Sequence, residues 1–308
     1  MHDVIIIGGG PAGLQAALTL GRTHRDVVLL DSGVYRNDPT DAMHNVLGFD
    51  GTPPAGFRDA AHRTLAAYGT VELRRTAAHE VAPIDPAAPA GGFVVRTDAG
   101  DLTARRLLLA TGLRDELPAT PGVAELFGTV AAHCPYCHGH EFTGTPVGIL
   151  GSGPHVARVA GLMERIASRL VVLADGGDLD PQVRASLDAR GAEVRAAKVE
   201  RLEPVTLPGS HPGARAVLAD GTAVELGGVM VAPTLRQAAP FAAQLGLDLR
   251  ESGCVAVDAM GRTSVPGVFA AGDLAHTADF PMPLSSVTAA MAAGQMAAGA
   301  IDGNLLEG

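Results

Sequence analysis

The sequence predicts an α/β protein assembled from repeated strand–turn–helix–strand units. Three observations carry this. Residues 3–33, "DVIIIGGGPAGLQAALTLGRTHRDVVLLDSG", run from an apolar segment through clustered glycines into an Ala/Leu-rich stretch and a second apolar segment. Residues 147–176, "VGILGSGPHVARVAGLMERIASRLVVLADG", repeat that plan. Short apolar runs ending in glycine recur at "RRLLLATG" (105–112) and "TSVPGVFAAGD" (263–273). A chain of 308 residues with 47% hydrophobic and 18% charged residues is globular and long enough for about two domains.

In the first unit, Val4–Ile7 reads as a buried parallel strand. Gly8 provides a tight turn, Gly10 lets backbone approach a pyrophosphate, and Gly13 allows close packing of helix on strand. Asp31 ends the second strand about 20 residues on, where a carboxylate can hold a ribose hydroxyl. The alternative is a glycine turn with no ligand. The second unit keeps Gly151 and Gly153 but has Val156 at the third position, and its second strand leads to Asp175, Asp178 and Asp180. An NADP 2′-phosphate would require arginine there; the acids suit NAD or no nicotinamide at all. In "TSVPGVFAAGD" the strand Val268–Ala271 delivers Gly272 and Asp273 to a helix start, where the acid can accept hydrogen bonds from polyol hydroxyls.

Bulk properties remove several function classes. A net charge of −10 without basic stripes argues against nucleic acid or an anionic membrane as partner. The N-terminus enters an apolar strand directly, with no charged leader region, and no stretch reaches the roughly 20 apolar residues of a membrane span. The expectation is a soluble, cytoplasmic protein. Three cysteines cannot form a structural disulfide framework, and in a reducing compartment a close pair reads as catalytic or metal-binding. Cys254, alone in "ESGCVAVD", reads as a small buried hydrophobe.

The other two cysteines lie in "AAHCPYCHGHEF" (131–142). Zinc is one reading, because Cys134, Cys137, His138 and His140 are competent ligands. Adjacent Cys137 and His138 seldom both reach one ion, however, and no second ligand pair follows, so no metal is expected. A structural cysteine pair is another reading. The third is a redox disulfide: a helix start and nearby imidazoles lower a thiol pKa, and histidine exchanges a proton near neutrality. His138 is the candidate base for an incoming thiol. His140 is a supporting or substrate-contacting residue or a solvent-facing bystander, and His133 reads as local packing. Glu141 either orients an imidazole or is solvated.

As an ordered set, "GGGPAG", "LLLATG", the C-x-x-C and "TSVPGVFAAGD" resemble the low-molecular-weight thioredoxin reductase family of FAD-dependent disulfide oxidoreductases, nearly end to end. The resemblance implies two Rossmann-like, three-layer ββα domains. FAD would be held by residues 1–115 and 246–308, with an NAD(P)H-binding-like domain carrying the cysteines inserted at 116–245. It places the FAD pyrophosphate on Gly8, Gly10, Pro11, Ala12 and Gly13, and the ribityl chain at Gly272 and Asp273. Asn45, in "MHNVLGFDG", falls where the family contacts the isoalloxazine, a turn-forming asparagine being the alternative. Asp31, Ser32, Val81, Ala110, Thr111 and Gly112 complete the implied FAD set. Cys137 would face the flavin and Cys134 exchange with substrate. A homodimer is implied.

Three features depart from the family's reductases. "ADGGDLD" replaces an arginine-rich stretch, His138 replaces the aspartate after the cysteine pair, and Ser285-Ser286 replaces an Arg-Gln pair at the start of the last helix. In these respects the chain resembles the dithiol oxidase branch, which closes disulfides in small natural products, as in holomycin and gliotoxin biosynthesis. Its partners would then be a small-molecule dithiol and O2, with H2O2 as product. The competing expectations are an NAD(P)H-dependent thioredoxin reductase and a flavin-binding protein with a zinc-clamped cysteine cluster. The Pro- and Gly-rich stretches at 82–92 and 204–213 read as hairpin connections.

Overall fold

The β-branched run after Met1 becomes the strand His2–Ile7, at the centre of a seven-stranded sheet. The structure is a computed structural model describing residues 1–88 and 91–307. Its chain divides into two units: Met1–Arg36, Ala55–Arg114 and Leu235–Gly308 form one, and Asn37–Pro54 with Asp115–Thr234 form the other.

In the first unit, His2–Ile7 pairs in parallel with Val27–Leu30 on one side and Gly100–Leu109 on the other. Val71–Arg74 extends the first edge, also in parallel. Beyond Gly100–Leu109 the strands Phe93–Thr97 and Ala78–Pro83 continue as an antiparallel meander, and Val268–Ala270 pairs with residues 107–109. The connection at 84–92 is therefore a hairpin, in which Pro89 and Ala90 lie outside the described residues. Ile5, Ile7, Val28, Leu30, Phe93, Leu107 and Leu109 share one buried cluster, as expected for a central strand apolar on both faces. The helix Pro11–Arg22 lies against the C-terminal helix Val287–Leu306. Their approach is close enough that a Cβ on Gly294 would collide with the Ala12 carbonyl.

The second unit has its own five-stranded parallel sheet, in the order Glu193–Arg195, Arg169–Leu173, Pro146–Leu150, Gly228–Met230, Ala131–Ala132. Alternate residues of Arg169–Leu173 divide between two cores. Val171 and Leu173 pack toward the antiparallel strands Val199–Leu207, His211–Leu218 and Ala223–Leu226, while Val172 packs toward the helices His155–Met163 and Pro181–Asp188. That is the three-layer ββα arrangement. The 204–213 segment forms the hairpin between the first two of those antiparallel strands, with residues at both ends taken into the ladder. No helix among the described residues is long and apolar enough to cross a membrane.

Candidate active site

The glycine turn of the first unit is built by collision. A Cβ on Gly8, whose φ is 123°, would strike the Ala110 carbonyl, and one on Gly13 would strike the carbonyl of Gly8. Gly9, which the spacing argument leaves unassigned, is required as well: a Cβ there would meet the Asp31 carboxylate. Gly10 is different. Nothing lies within 4 Å of its Cβ position, and it caps the 12-residue helix Pro11–Arg22 without a side-chain hydrogen bond. Open space above free backbone N–H groups at a helix start fits a pyrophosphate. Gly272 completes the wall, its Cβ position 2.9 Å from Ala12. Gly8, Gly10, Pro11, Ala12, Gly13, Ala110, Thr111 and Gly272 are thus brought together. Gly112 follows in a left-handed conformation with open space around it.

Asp31 is 1% exposed. It accepts from the Tyr35 hydroxyl at 2.6 Å and from the Gly33 N–H at 3.0 Å, with Arg75 at 3.5 Å. Burial and this bond push the Tyr35 phenol up to about 12. Arg58 stacks on the Tyr35 ring at 3.7 Å. Burial also lowers the pKa of nearby His62. Ser32 is exposed beside this cluster, and Asp273 pairs with Arg36 at 2.8 Å. Val81 lies on the meander's outer strand, in the buried cluster that also holds Ile7, Leu30 and Leu109, with its N–H donating to Gln244. Cys254 is fully buried, and burial raises its pKa; it packs as an inert small residue.

In the second unit the edge strand Ala131–Ala132 delivers the cysteine pair at its carboxyl end, where open α/β sheets place ligands. Cys134 and Cys137 are joined as a disulfide, their Cα atoms 5.2 Å apart and both side chains half-buried. The helix they introduce, Pro135–His138, is a single turn followed by a 3₁₀ turn, His140–Phe142. One turn aligns few peptide dipoles, so the imidazoles must supply most of any thiol activation. Among the described residues no group of three or more His, Cys, Asp or Glu is placed to hold a metal ion.

His138 faces the Asn37–Pro54 segment. Its Nε2 lies 3.2 Å from Thr40 Oγ1 and 3.3 Å from the Gly128 carbonyl, while its Nδ1 is buried with no hydrogen-bonding partner among the described residues. Burial lowers its pKa, against opposing pulls from the Gly128 carbonyl and Glu141. Glu141 lies 3.5 Å from His44 Nε2, and His44 Nδ1 lies 3.6 Å from Asp50, so a carboxylate–imidazole–carboxylate row flanks the cysteine helix. His140 is exposed, and His133 stacks on Phe127 at 5.9 Å. Asn45 sits in the same Asn37–Pro54 segment, in a left-handed conformation with φ 61° and its N–H donating to Asp50 at 2.7 Å. Thr40 and His44 escape the sequence reading. The only signal for them is a polar, turn-rich segment, which folding carries to residues about 100 positions away.

The second glycine turn differs from the first where the difference matters. At Gly153, the counterpart of Gly10, the Cβ position is not open: His155 Nδ1 lies 3.0 Å from it, and His155 Cε1 lies 3.5 Å from the Cβ position of Gly151. The imidazole folds back over the turn, its Nε2 buried without a hydrogen-bonding partner among the described residues. Val156 is buried in the helix-side core. Asp175 spends an oxygen on the Val199 N–H at 2.8 Å.

Fold, glycine turn and cysteine pair together define an oxidoreductase of the nucleotide-linked disulfide class, and comparison agrees. The family model described as pyridine nucleotide-disulphide oxidoreductase matches residues 2–297, and the chain belongs to that family as a thioredoxin reductase-like flavin disulfide oxidoreductase. It is 33% identical over 319 residues to thioredoxin reductase sirT of Leptosphaeria maculans, covering 98% of this chain and 94% of that one. An oxidoreductase structure from Agrobacterium tumefaciens is similar at 33% identity and TM-score 0.88, with 99% of each chain covered. The crystal structure of HlmI is similar at 35% identity and TM-score 0.87, with 99% of this chain and 93% of that one covered.

Proposed function

We propose that the protein is an FAD-dependent dithiol oxidase that closes an intramolecular disulfide in a small natural-product dithiol, with O2 as acceptor and H2O2 as product. The observation that carries this reading is His155 lying over the second glycine turn. Electrons supplied by thiols need no nicotinamide there. His138 supports it, as a base beside the disulfide where incoming thiols require deprotonation.

In this reading His138 takes the proton of the first substrate thiol. The thiolate attacks Cys134, breaking the Cys134–Cys137 bond and releasing Cys137 as thiolate. The second substrate thiolate attacks the substrate sulfur of that mixed disulfide, and Cys134 leaves as the product ring closes. Two electrons then reside on the cysteine pair. Bound FAD supplies two-electron acceptance and reaction with oxygen. The backbone at Gly8, Gly10 and Gly13 would hold its pyrophosphate and Asp273 its ribityl hydroxyls, while Asp31, buried and already accepting from Tyr35 and Gly33, would reach its ribose only after giving up part of that pairing.

The names of relatives such as sirT favour a second reading, an NAD(P)H-dependent reductase of thioredoxin. Anaerobic stopped-flow reduction by NADPH, NADH and a small dithiol separates the two. The oxidase reading expects rapid bleaching of flavin absorbance by the dithiol alone, lost in Cys134→Ser and Cys137→Ser. Rapid bleaching by a nicotinamide, or oxygen uptake that survives both substitutions, overturns it.

A further inference from the structure

We infer that Thr40 is a positioning residue which, with the Gly128 carbonyl, fixes the tautomer of His138 and leaves Nδ1 as the atom that accepts the thiol proton. The role given to Nδ1 rests on the dithiol oxidase reading; the tautomer itself does not.

The donors and acceptors around Nε2 determine which ring nitrogen carries the proton. The Gly128 carbonyl, 3.3 Å from Nε2, can only accept. Thr40 has one hydroxyl proton, and its best acceptor is the Ala42 carbonyl at 2.8 Å. The hydroxyl therefore meets Nε2, at 3.2 Å, with a lone pair. A further long contact from the Ala42 N–H at 3.4 Å also requires Thr40 Oγ1 to accept. Two acceptors on one ring nitrogen demand a proton there. A neutral imidazole protonated on Nε2 carries its lone pair on Nδ1. That atom is buried with no hydrogen-bonding partner among the described residues, so a substrate thiol reaches its lone pair only when the side chains over it shift.

The backbone builds this arrangement from distant parts of the chain. Gly128 has φ 92°, and a Cβ there would collide with the Pro39 carbonyl, so only glycine brings that turn beside the segment bearing Thr40. On proton transfer the substrate S–H bond breaks and Nδ1–H forms. The imidazolium keeps Nε2–H on the same two acceptors, with no rotation of the ring. The titratable groups acting on it are Glu141, which favours the cation, and His44, which opposes it.

The tautomer is read by two-bond ¹H–¹⁵N correlation on the full-length holoenzyme with labelled histidine, His138 being assigned by the loss of its signals in His138→Gln. The expected pattern at pH 8 is Nε2–H. Thr40→Val keeps the shape but removes the accepting oxygen: a mixed tautomer pattern is expected, with flavin reduction by dithiothreitol slowed about tenfold and its pH profile displaced. Thr40→Ser, which restores the oxygen, should return both to within about twofold of the parent. An Nδ1–H pattern in the parent overturns the inference. So does a Thr40→Val protein with parental pattern and rate. An Nε2–H pattern in a protein whose flavin no dithiol reduces removes the thiol-base role, and the oxidase reading with it, while leaving the tautomer in place. The parent measurement needs no variant, so a Thr40→Val protein that fails to fold does not shelter the idea.

Discussion

His155 Nδ1 lies 3.0 Å from the place a Cβ on Gly153 would occupy, whereas the matching place on Gly10 is open. The two dinucleotide turns of this chain therefore differ in access. Calorimetric titration of the holoenzyme with NADH and NADPH is expected to show no binding at micromolar concentrations. His155→Ala should admit weak binding at best, because Val156 stands where the first turn has Gly13 and no arginine follows the second strand to hold a 2′-phosphate. Micromolar binding by the parent protein would refute the covering role of His155.

The same residue makes stability depend on pH. Burial lowers the His155 pKa below the ordinary 6.5, opposed by a hydrogen bond with Leu150. As pH falls through 6.5, the unfolded chain takes up a proton that the folded chain resists, so stability is lost on the acid side and retained above it. His138 and His62 are shifted in the same direction and add to the slope. Urea unfolding between pH 5 and 8 should show stability rising with pH, less steeply in His155→Gln. An unchanged slope in that variant contradicts the burial argument.

Much of this architecture is legible in the sequence, because period and punctuation are local. The run Val4–Ile7, the glycines after it and the apolar strand ending at Asp31 each declare themselves within about 30 residues. The covering of the second turn is also local, yet a histidine beside two glycines reads as unremarkable until its rotamer is known. The environment of His138 is not local. Thr40 and Gly128 reach it through tertiary packing, and no spacing rule links them. Asn45 shows the same limit: its left-handed turn is predictable, but its grouping with the cysteine unit is set by contacts far along the chain.

Asp31 offers a test of the first unit's acid. Tyr35→Phe removes a 2.6 Å donor from a carboxylate that is 1% exposed, leaving Gly33 and a more distant Arg75 as partners. A hydrogen bond to a charged group contributes about 1.5–3 kcal/mol, and a loss near the low end is expected in urea unfolding. With its pKa pushed up to about 12, the Tyr35 phenol should also stay un-ionised at pH 11 in an ultraviolet titration of the folded protein. Ionisation of all the tyrosines near pH 10 would contradict the Asp31–Tyr35 bond.

The glycines of the first turn separate folding from ligand binding. Gly13→Ala drives a methyl into the Gly8 carbonyl, and the strand–helix junction must shift to admit it. Overpacking of this kind costs about 1–3 kcal/mol, so the variant is expected to unfold earlier in urea whether or not cofactor is present. Gly10→Ala meets nothing within 4 Å, and its φ of −78° suits any residue, so the N-cap preference for glycine over alanine is largely offset by the stiffer unfolded chain and the polypeptide itself should lose no more than about 1 kcal/mol. Its methyl would instead stand in the space assigned to the FAD pyrophosphate. The expected result is a near-parental unfolding curve for the apoprotein together with flavin lost on gel filtration. A Gly10→Ala protein that retains its flavin as firmly as the parent would show that the open space above Gly10 is not where the cofactor's phosphates lie.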